Sequence, residues 1–225
     1  MSVAVSRTKE ASMGDSGSLH IGFLKGYERS DFSVIARQFH RNHPNAFLTF
    51  ERQSSDQLAD GLMQGRFDLI YTWDSTNLRQ STEVEWRQAD KIRLVVALYR
   101  GHPLAGRTKL LRSELRGEKL LYMSPSEDFD SYGDEVFIRL YRESGYKPDI
   151  LYRSSDLEVI LTMVAAEEGI SILPDYFTNK LNGADNLLFI PLNGVQEHEE
   201  IDMIWRKDND NPLRMAWNTM VTKNK

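Results

Sequence analysis

The stretch SSDQLADGLMQGRFDLIYTW, residues 54–73, decides the fold class because it joins an amphipathic helix directly to an apolar strand. Ser54 and Gln57 have the spacing of a capping box, which predicts that a helix starts there. The leucines that follow fall on one helical face, and Gly65 ends the pattern. The run FDLIYTW, 67–73, is nearly continuous in apolar residues, as is typical of a strand covered on both faces in a parallel sheet.

Working outward from this stretch, the same alternation of strand and helix covers the whole chain. Toward the N-terminus the patterns predict a strand at 19–24, a helix at 32–43 and a strand at 46–52. The order β-α-β-α-β favours a parallel sheet with right-handed crossovers. Toward the C-terminus the predicted strands are 93–99, 119–123, 149–154, 170–174 and two near LLFIPL and EIDMIW. The predicted helices in this part are 136–144, 155–168, 175–182 and 212–222. Ser155 and Glu158 have the spacing of a capping box at the start of the second of these helices.

Composition and charge exclude several classes of protein. The chain has 225 residues, a net charge of −5, 27% charged residues and no cysteine. Disulfides, thiolate metal sites and thiol redox sensing are therefore excluded for these residues. The acidic balance argues against a self-sufficient nucleic-acid binder, which needs a basic surface. With no signal-like or bilayer-length apolar run, we expect a cytoplasmic protein.

Three short motifs that suggest chemistry do not support it. GDSGS, 14–18, matches the surroundings of a protease serine, but no histidine or aspartate base precedes Ser16 at the needed place, and the alternating pattern is not that of an all-β barrel. His40 and His43 lack further metal ligands nearby. KDNDNP, 207–212, lacks the glycine and the distal glutamate of a calcium loop. We predict no catalytic residue, no metal site and no cofactor.

The carboxyl ends of the strands are the places where a ligand is expected. Open α/β sheets bind ligands beyond these ends, where backbone N–H groups of the following helix point outward. In this chain those places are rich in hydroxyl groups and aromatic rings, which suits a small carboxylate or a similar polar ligand. Helix capping is the alternative role of each serine, and Tyr71 and Trp73 are either core or ligand-facing, with a slight preference for the second. The places are 25–30, 54–55, 71–73, 124–126 and 154–155.

Five motifs in order resemble the effector-binding domain of LysR-type transcriptional regulators. They are SGSLHIGF, the long run from DFSVIARQFH to GRFDLIY, which holds two of them, the turn GHPLAG after a strand, and MVAAEEGISILP, and together they cover nearly the whole chain from Ser16 onward. One departure is visible, because Glu167 stands where members of this family usually have the first glycine of V-A-A-G-x-G. Gly169 keeps the second glycine, so we expect a normal helix end.

The resemblance implies a type 2 periplasmic-binding-protein-like α/β fold, with two Rossmann-like subdomains joined by two crossover strands. Residues 1–16 would be the end of a linker helix, 17–91 plus 200–225 the first subdomain, and 92–199 the second, with the effector between the two. Carried over by position, and together with the two aromatic residues above, the predicted effector-binding residues are Gly26, Tyr27, Ser54, Ser55, Tyr71, Trp73, Ser124, Ser126 and Ser154.

The implied function is a small-molecule sensor in a bacterial transcriptional regulator. The resemblance implies a homodimer, or a higher homo-oligomer, that contacts DNA only through a helix-turn-helix domain absent from these residues, and it implies no membrane partner and no catalysis. Two alternatives stay open, a transporter solute-binding protein of the same fold and a small-acid dehydratase-like enzyme. The second would need a carboxylate from Glu28, Asp31 or Asp74 as general acid or base.

Overall fold

The chain forms two compact units in the computed structural model, which describes residues 16–73, 76–124, 132–178, 181, 186–194 and 197–223. Unit 1 is Met1–Ala89 with Ile201–Lys225, and unit 2 is Asp90–Glu200. The sequence places the two changes of subdomain close by, at 91/92 and 199/200. Apart from Ser16, the predicted linker-helix end lies outside the described residues, so that expectation stays a prediction.

The helices and strands alternate as the sequence patterns predict, which confirms the α/β fold class. Three short 3₁₀ segments, Tyr27–Arg29, Arg112–Leu115 and Asp175–Thr178, lie between them. The strands are β1 (Gly17–Leu24), β2 (Ala46–Gln53), β3 (Leu69–Trp73), β4 (Val84–Tyr99), β5 (Lys119–Met123), β6 (Asp149–Ser154), β7 (Ser171–Pro174), β8 (Leu187–Pro191) and β9 (His198–Arg206). The helices are α1 (Phe32–Asn42), α2 (Ser55–Met63), α3 (Thr76–Arg79), α4 (Tyr132–Glu143), α5 (Leu157–Ala165) and α6 (Pro212–Lys223).

Unit 1 is built on the sheet that residues 54–73 predict. Strand β1 pairs in parallel with β2 on one side and with β3 on the other, and β3 pairs antiparallel with β9. Gly22 lies in β1 where α2 crosses the sheet closely. A Cβ atom at this position would lie 2.7 Å from Leu58 Cδ2 and 3.2 Å from both Ile70 Cγ2 and Phe67 Cδ2. The glycine in the strand therefore permits the close packing of α2 on the sheet.

Aromatic rings fill the core of unit 1. Trp217 of α6 is fully buried and packs on Phe39 and Phe32, with ring centroids 5.0 and 6.0 Å apart. Phe32 also meets Tyr71 edge-on at 5.2 Å. Large aromatic side chains contribute strongly to core stability through their buried area. The C-terminal helix is thus held by rings that come from α1 and β3.

Unit 2 combines antiparallel and parallel pairing around one apolar cluster. Strand β4 pairs antiparallel with β7 and β8, whereas β5 and β6 are parallel. A bidentate ion pair lies against this cluster, because Arg112 Nε and Nη2 donate to the Glu197 carboxylate at 3.0 and 2.6 Å, and both side chains are buried. The Arg112 guanidinium also lies 4.7 Å from the centre of the Tyr141 ring.

The structure corrects several boundaries. Strand β4 starts at Val84 rather than at 93, and α4 starts at Tyr132 rather than at 136. The predicted helix at 175–182 is a 3₁₀ turn over Asp175–Thr178. The capping box predicted at Ser155 is wrong, because Asp156 caps α5 through Oδ1, which accepts from the N–H of Glu158 at 2.9 Å and of Val159 at 3.4 Å. Asp156 has extended backbone angles, so it occupies the capping position.

Candidate functional site

The loop after β1 places Gly26 and Tyr27 differently from each other. Gly26 has a φ of 89°, in the left-handed region, and its carbonyl accepts from the N–H of Arg29 at 2.9 Å. This conformation favours glycine and turns the chain sharply at the end of β1. The Tyr27 side chain is buried, and its ring stacks on Tyr71 with centroids 5.6 Å apart. A ligand contact at position 26 would therefore be made by backbone atoms. The buried Tyr27 side chain instead stabilises the loop by packing on Tyr71.

The start of α2 brings together hydroxyl groups from α2 and β3. Ser54 and Gln57 form the predicted capping box, which is confirmed. Ser55 Oγ lies 2.8 Å from Thr72 Oγ1, and it donates to the carbonyl of Trp73 at 3.2 Å, which Thr72 Oγ1 also approaches at 3.1 Å. Ser55 and Trp73 are half-buried, whereas Thr72 is buried. A compact pair of hydroxyls therefore lies at the carboxyl end of β3, where the sequence predicts a ligand contact.

Tyr71, a further predicted residue on β3, lies in the aromatic core. Its hydroxyl accepts from Trp217 Nε1 at 2.8 Å, and both side chains are almost fully buried. Burial raises the pKa of the Tyr71 hydroxyl well above its ordinary value, and the hydrogen bond from Trp217 opposes this shift. Of the two placements considered for Tyr71, the structure has the core one. A ligand contact by this residue stays a prediction.

In unit 2, Ser124 belongs to a buried network at the carboxyl end of β5. Ser124 Oγ donates to Asp134 Oδ1 at 2.8 Å, and Tyr122 Oη donates to the same oxygen at 2.6 Å. Ser124 has 0% and Asp134 6% of its surface exposed. Burial raises the pKa of Tyr122 far above its ordinary value, and the hydrogen bond to Asp134 adds to the rise. The network ties β5 to the first turn of α4.

Ser154 lies beside Ser124 on the neighbouring strand. The carbonyl of Ser154 accepts from the N–H of Ser124 at 2.9 Å, and its Oγ accepts from the N–H of Asp156 at 3.0 Å. Ser154 is half-buried, so part of its surface faces solvent at the start of α5. Ser126 lies outside the described residues. Ligand binding by the nine predicted residues as a set therefore stays a prediction. The structure brings Ser55 to Trp73 at the end of β3 in unit 1, and it brings Ser124 to Ser154 at the ends of β5 and β6 in unit 2.

Sequence reasoning missed two members of these clusters, Tyr122 and Asp134, and it included Thr72 only as part of the range 71–73 without naming it as a ligand contact. Thr72 and Tyr122 lie within strands, where hydroxyl-bearing residues are typical strand formers and give no sign of a ligand. Asp134 carried a visible signal, since it belongs to the acidic run EDFDSYGDE, 127–135. In the sequence that run follows β5, whereas the carboxylates considered for catalysis follow β1 and β3.

The structure shows where several of the residues considered for metal binding or acid–base chemistry lie. Within residues 16–73, 76–124, 132–178, 181, 186–194 and 197–223, no three histidine or acidic side chains form a group that could hold a metal ion. His43 packs its ring on Phe39 at 4.6 Å. Glu28, one of the carboxylates considered for catalysis, accepts from Arg52 Nη1 at 3.1 Å, and Asp74 lies outside the described residues. None of the described helices is long and apolar enough to cross a membrane.

Comparison with known sequences identifies similarity to one family. The sequence model described as the LysR substrate binding domain matches residues 12–219. Among curated relatives, the HTH-type transcriptional regulator AlsR of Bacillus subtilis is 24% identical over 89% of this chain and 64% of the relative. The DNA-binding transcriptional dual regulator OxyR of Escherichia coli is 25% identical over 92% of this chain and 65% of the relative. The chain thus spans less than two thirds of the length of these relatives.

Solved structures share the fold. The effector binding domain of BenM with its effector benzoate superposes with a TM-score of 0.78 at 20% identity, over 92% of this chain and 91% of that one. Full-length CbnR complexed with its target DNA gives a TM-score of 0.80 at 20% identity, over 98% of this chain and 75% of that one. These similarities confirm the predicted α/β fold of the type 2 periplasmic-binding-protein kind.

Proposed function

Because this chain belongs to the LysR substrate-binding domain family, we propose that it is the effector-sensing domain of a bacterial LysR-type transcriptional regulator. The match over 12–219 carries this proposal, and the regulators AlsR and OxyR among the relatives support it. DNA contact would be made by a domain outside these 225 residues. Such a regulator works in the cytoplasm, where the DNA is.

The effector is a small polar molecule held at the carboxyl ends of the strands. The support comes from the Ser55–Thr72 pair in unit 1 and from Ser124 and Ser154 in unit 2, which lie where α/β sheets bind ligands. The structural neighbour BenM takes benzoate as its effector, which gives the size of molecule to expect. Regulation requires that the effector bind one conformer of the domain more tightly than the other.

Peroxide sensing through a thiol is not the mechanism of these residues. Several relatives are hydrogen peroxide-inducible genes activators, but this chain has no cysteine. Without a thiol these residues cannot form the sulfenic acid or disulfide that thiol sensing needs. The proposal is therefore reversible binding of an effector, without turnover of that effector.

The domain pairs with a second copy of itself. Two edge strands carry exposed apolar side chains, because Phe47 on β2 is 68% and Phe50 is 43% exposed, and Leu151 and Tyr152 are exposed on β6. Exposed apolar edges of this kind mark interaction surfaces. These two edges are therefore the surfaces at which we expect a second copy to bind. A chain that sediments as a monomer at micromolar concentration would contradict this assignment.

A thermal-shift screen of the chain against small metabolites tests the function. A ligand at 100 times its dissociation constant adds about 2.7 kcal/mol to the free energy of unfolding. For a chain of this length, each kcal/mol raises the midpoint by roughly 2–4 °C. We expect a hit that Ser55→Ala weakens and that is recovered chemically unchanged after incubation. A ligand that is consumed would instead support the dehydratase-like alternative, and the absence of any hit across a broad library would count against a sensor.

A further inference from the structure

The segment after β8 places an asparagine and a glycine next to each other on the surface of unit 2. Asn193 and Gly194 follow the strand end at Pro191, and both are exposed. Within the part of the chain that the structure describes, no residue forms a hydrogen bond with the Asn193 side chain or with the N–H of Gly194. The side-chain amide carbon of Asn193 and the backbone nitrogen of Gly194 can therefore approach each other without breaking such a bond.

An asparagine side chain in this position reacts with its own backbone. The nitrogen of the following residue attacks the side-chain amide carbon, a new C–N bond closes a five-membered succinimide ring, and the amide nitrogen leaves as ammonia with the proton of the attacking nitrogen. Water then opens the ring at either carbonyl carbon and leaves aspartate or isoaspartate. Glycine as the following residue favours the attack, because it has no Cβ atom to block the approach and its backbone turns freely.

Two other asparagines of the described residues show what prevents this reaction. The side chain of Asn186 is held in place, because its Nδ2 donates to the carbonyl of Ala165 at 2.8 Å. Asn45 is exposed, but it is followed by Ala46, whose N–H donates to the carbonyl of His43 at 3.1 Å. The nitrogen that would attack at Asn45 is therefore hydrogen-bonded, and it belongs to a residue with a Cβ atom.

We propose that Asn193 is a site of spontaneous deamidation in the folded protein. The product adds one negative charge to the net charge of −5. The N–H of Asn193 donates to the carbonyl of Leu110 at 2.7 Å, and the carbonyl of Gly194 accepts from the N–H of Glu197 at 3.4 Å. Isoaspartate lengthens the backbone by one atom between these two bonds, because the chain then runs through the side chain. The change lies in the turn that leads to Glu197, the buried partner of Arg112.

Ageing of the whole native chain in neutral buffer tests this assignment. Samples taken over time are separated by anion exchange, digested, and mapped by tandem mass spectrometry, which localises the modified residue within each peptide. We expect conversion at Asn193 while Asn45 stays unmodified in the same samples. The rate should rise with pH, because the attacking nitrogen must lose its proton. Asn193→Gln should abolish conversion at this position, since the longer side chain would have to close a larger ring. Asn182 is also followed by glycine but lies outside the described residues, so its conversion is scored separately.

A comparison with the urea-denatured chain at the same pH shows whether the folded chain itself reacts. A surface site that opens at little cost should react at a rate within about tenfold of the denatured one. If conversion at Asn193 needed global unfolding, the native chain would react more slowly by about a thousandfold or more, because the unfolded state is rare. That result, or equal conversion at Asn193 and Asn45 in the native chain, or no conversion at Asn193, would overturn the assignment.

Discussion

Replacing Glu167 by glycine should stabilise the protein, although it removes a side chain. Glu167 follows the last turn of α5 with a φ of 66°, in the left-handed region. Its N–H donates to the carbonyl of Val164 at 3.0 Å, and the N–H of Glu168 donates to that of Met163 at 3.1 Å, which closes the helix end. An L-residue is destabilised by about 1–2 kcal/mol in this conformation relative to a right-handed one, and glycine is not.

The net gain is smaller than this strain, because glycine is also more disordered in the unfolded chain. That effect opposes the gain by about 0.4–1 kcal/mol. The substitution also removes the hydrogen bond from Asn186 Nδ2 to Glu167 Oε1, which is exposed and, at 3.4 Å, long. Glu167→Gly should therefore raise the free energy of unfolding by about 0.5–1 kcal/mol. The melting midpoint should rise by roughly 1–4 °C in a chain of this length.

Urea denaturation followed by circular dichroism measures this change, with the neighbouring residue as control. Glu168 is also an exposed glutamate, but it is not among the described residues with positive φ. Glu168→Gly should lower the free energy of unfolding by about 0.5–1 kcal/mol. Opposite signs for the two variants at unchanged denaturant slope support the reasoning. If both variants are destabilised equally, backbone strain at Glu167 is not what distinguishes the two positions.

Two further predictions concern packing and charge in the cores of the units. Glu197→Gln breaks the buried pair with Arg112 and should lower the free energy of unfolding by about 3–5 kcal/mol. The control Asp149→Asn breaks an exposed pair and should change it by less than about 1 kcal/mol. Equal effects of the two substitutions in urea denaturation would contradict the role of burial. Gly22→Ala places a methyl group 2.7 Å from Leu58 and should lower the free energy of unfolding by about 1–3 kcal/mol. The control is Gly106→Ala, because a Cβ atom at Gly106 would have no neighbouring atom within 4 Å. This variant should keep the melting midpoint within about 2 °C of that of the original chain.

The fold could be predicted closely wherever burial and periodicity coincide. The predicted strand at 119–123 matches β5 residue for residue, since apolar side chains occupy nearly all of it. The first half of β4 could not be predicted because its sequence, VEWRQADK, is polar and only Val84 in it is buried. Strand formation there depends on pairing with distant parts of the chain, such as the hydrogen bond from Lys207 N–H to the carbonyl of Glu83. Local pattern cannot contain that information.

Tyr71 illustrates a second limit, because its surroundings come from distant segments. The sequence places it at the end of an apolar strand, which fits both a ligand-facing ring and a core ring. The partner that decides its place in the structure is Trp217, 146 residues further along the chain, which donates to its hydroxyl. A buried tyrosine needs such a partner for its polar end. Only the fold of unit 1 supplies it.

The predicted serines illustrate a third limit, because capping and ligand binding use the same residue type at the same place. A serine at a helix start serves both roles equally well, and Ser54 is held by its capping box while the nearby Ser55 bonds to Thr72 and Trp73. The residue type therefore predicts a hydroxyl group at the start of α2, but it does not predict which of the two roles that group takes. The contact of Ser55 with Thr72 joins residues 17 positions apart, and only the folded chain brings β3 beside the start of α2.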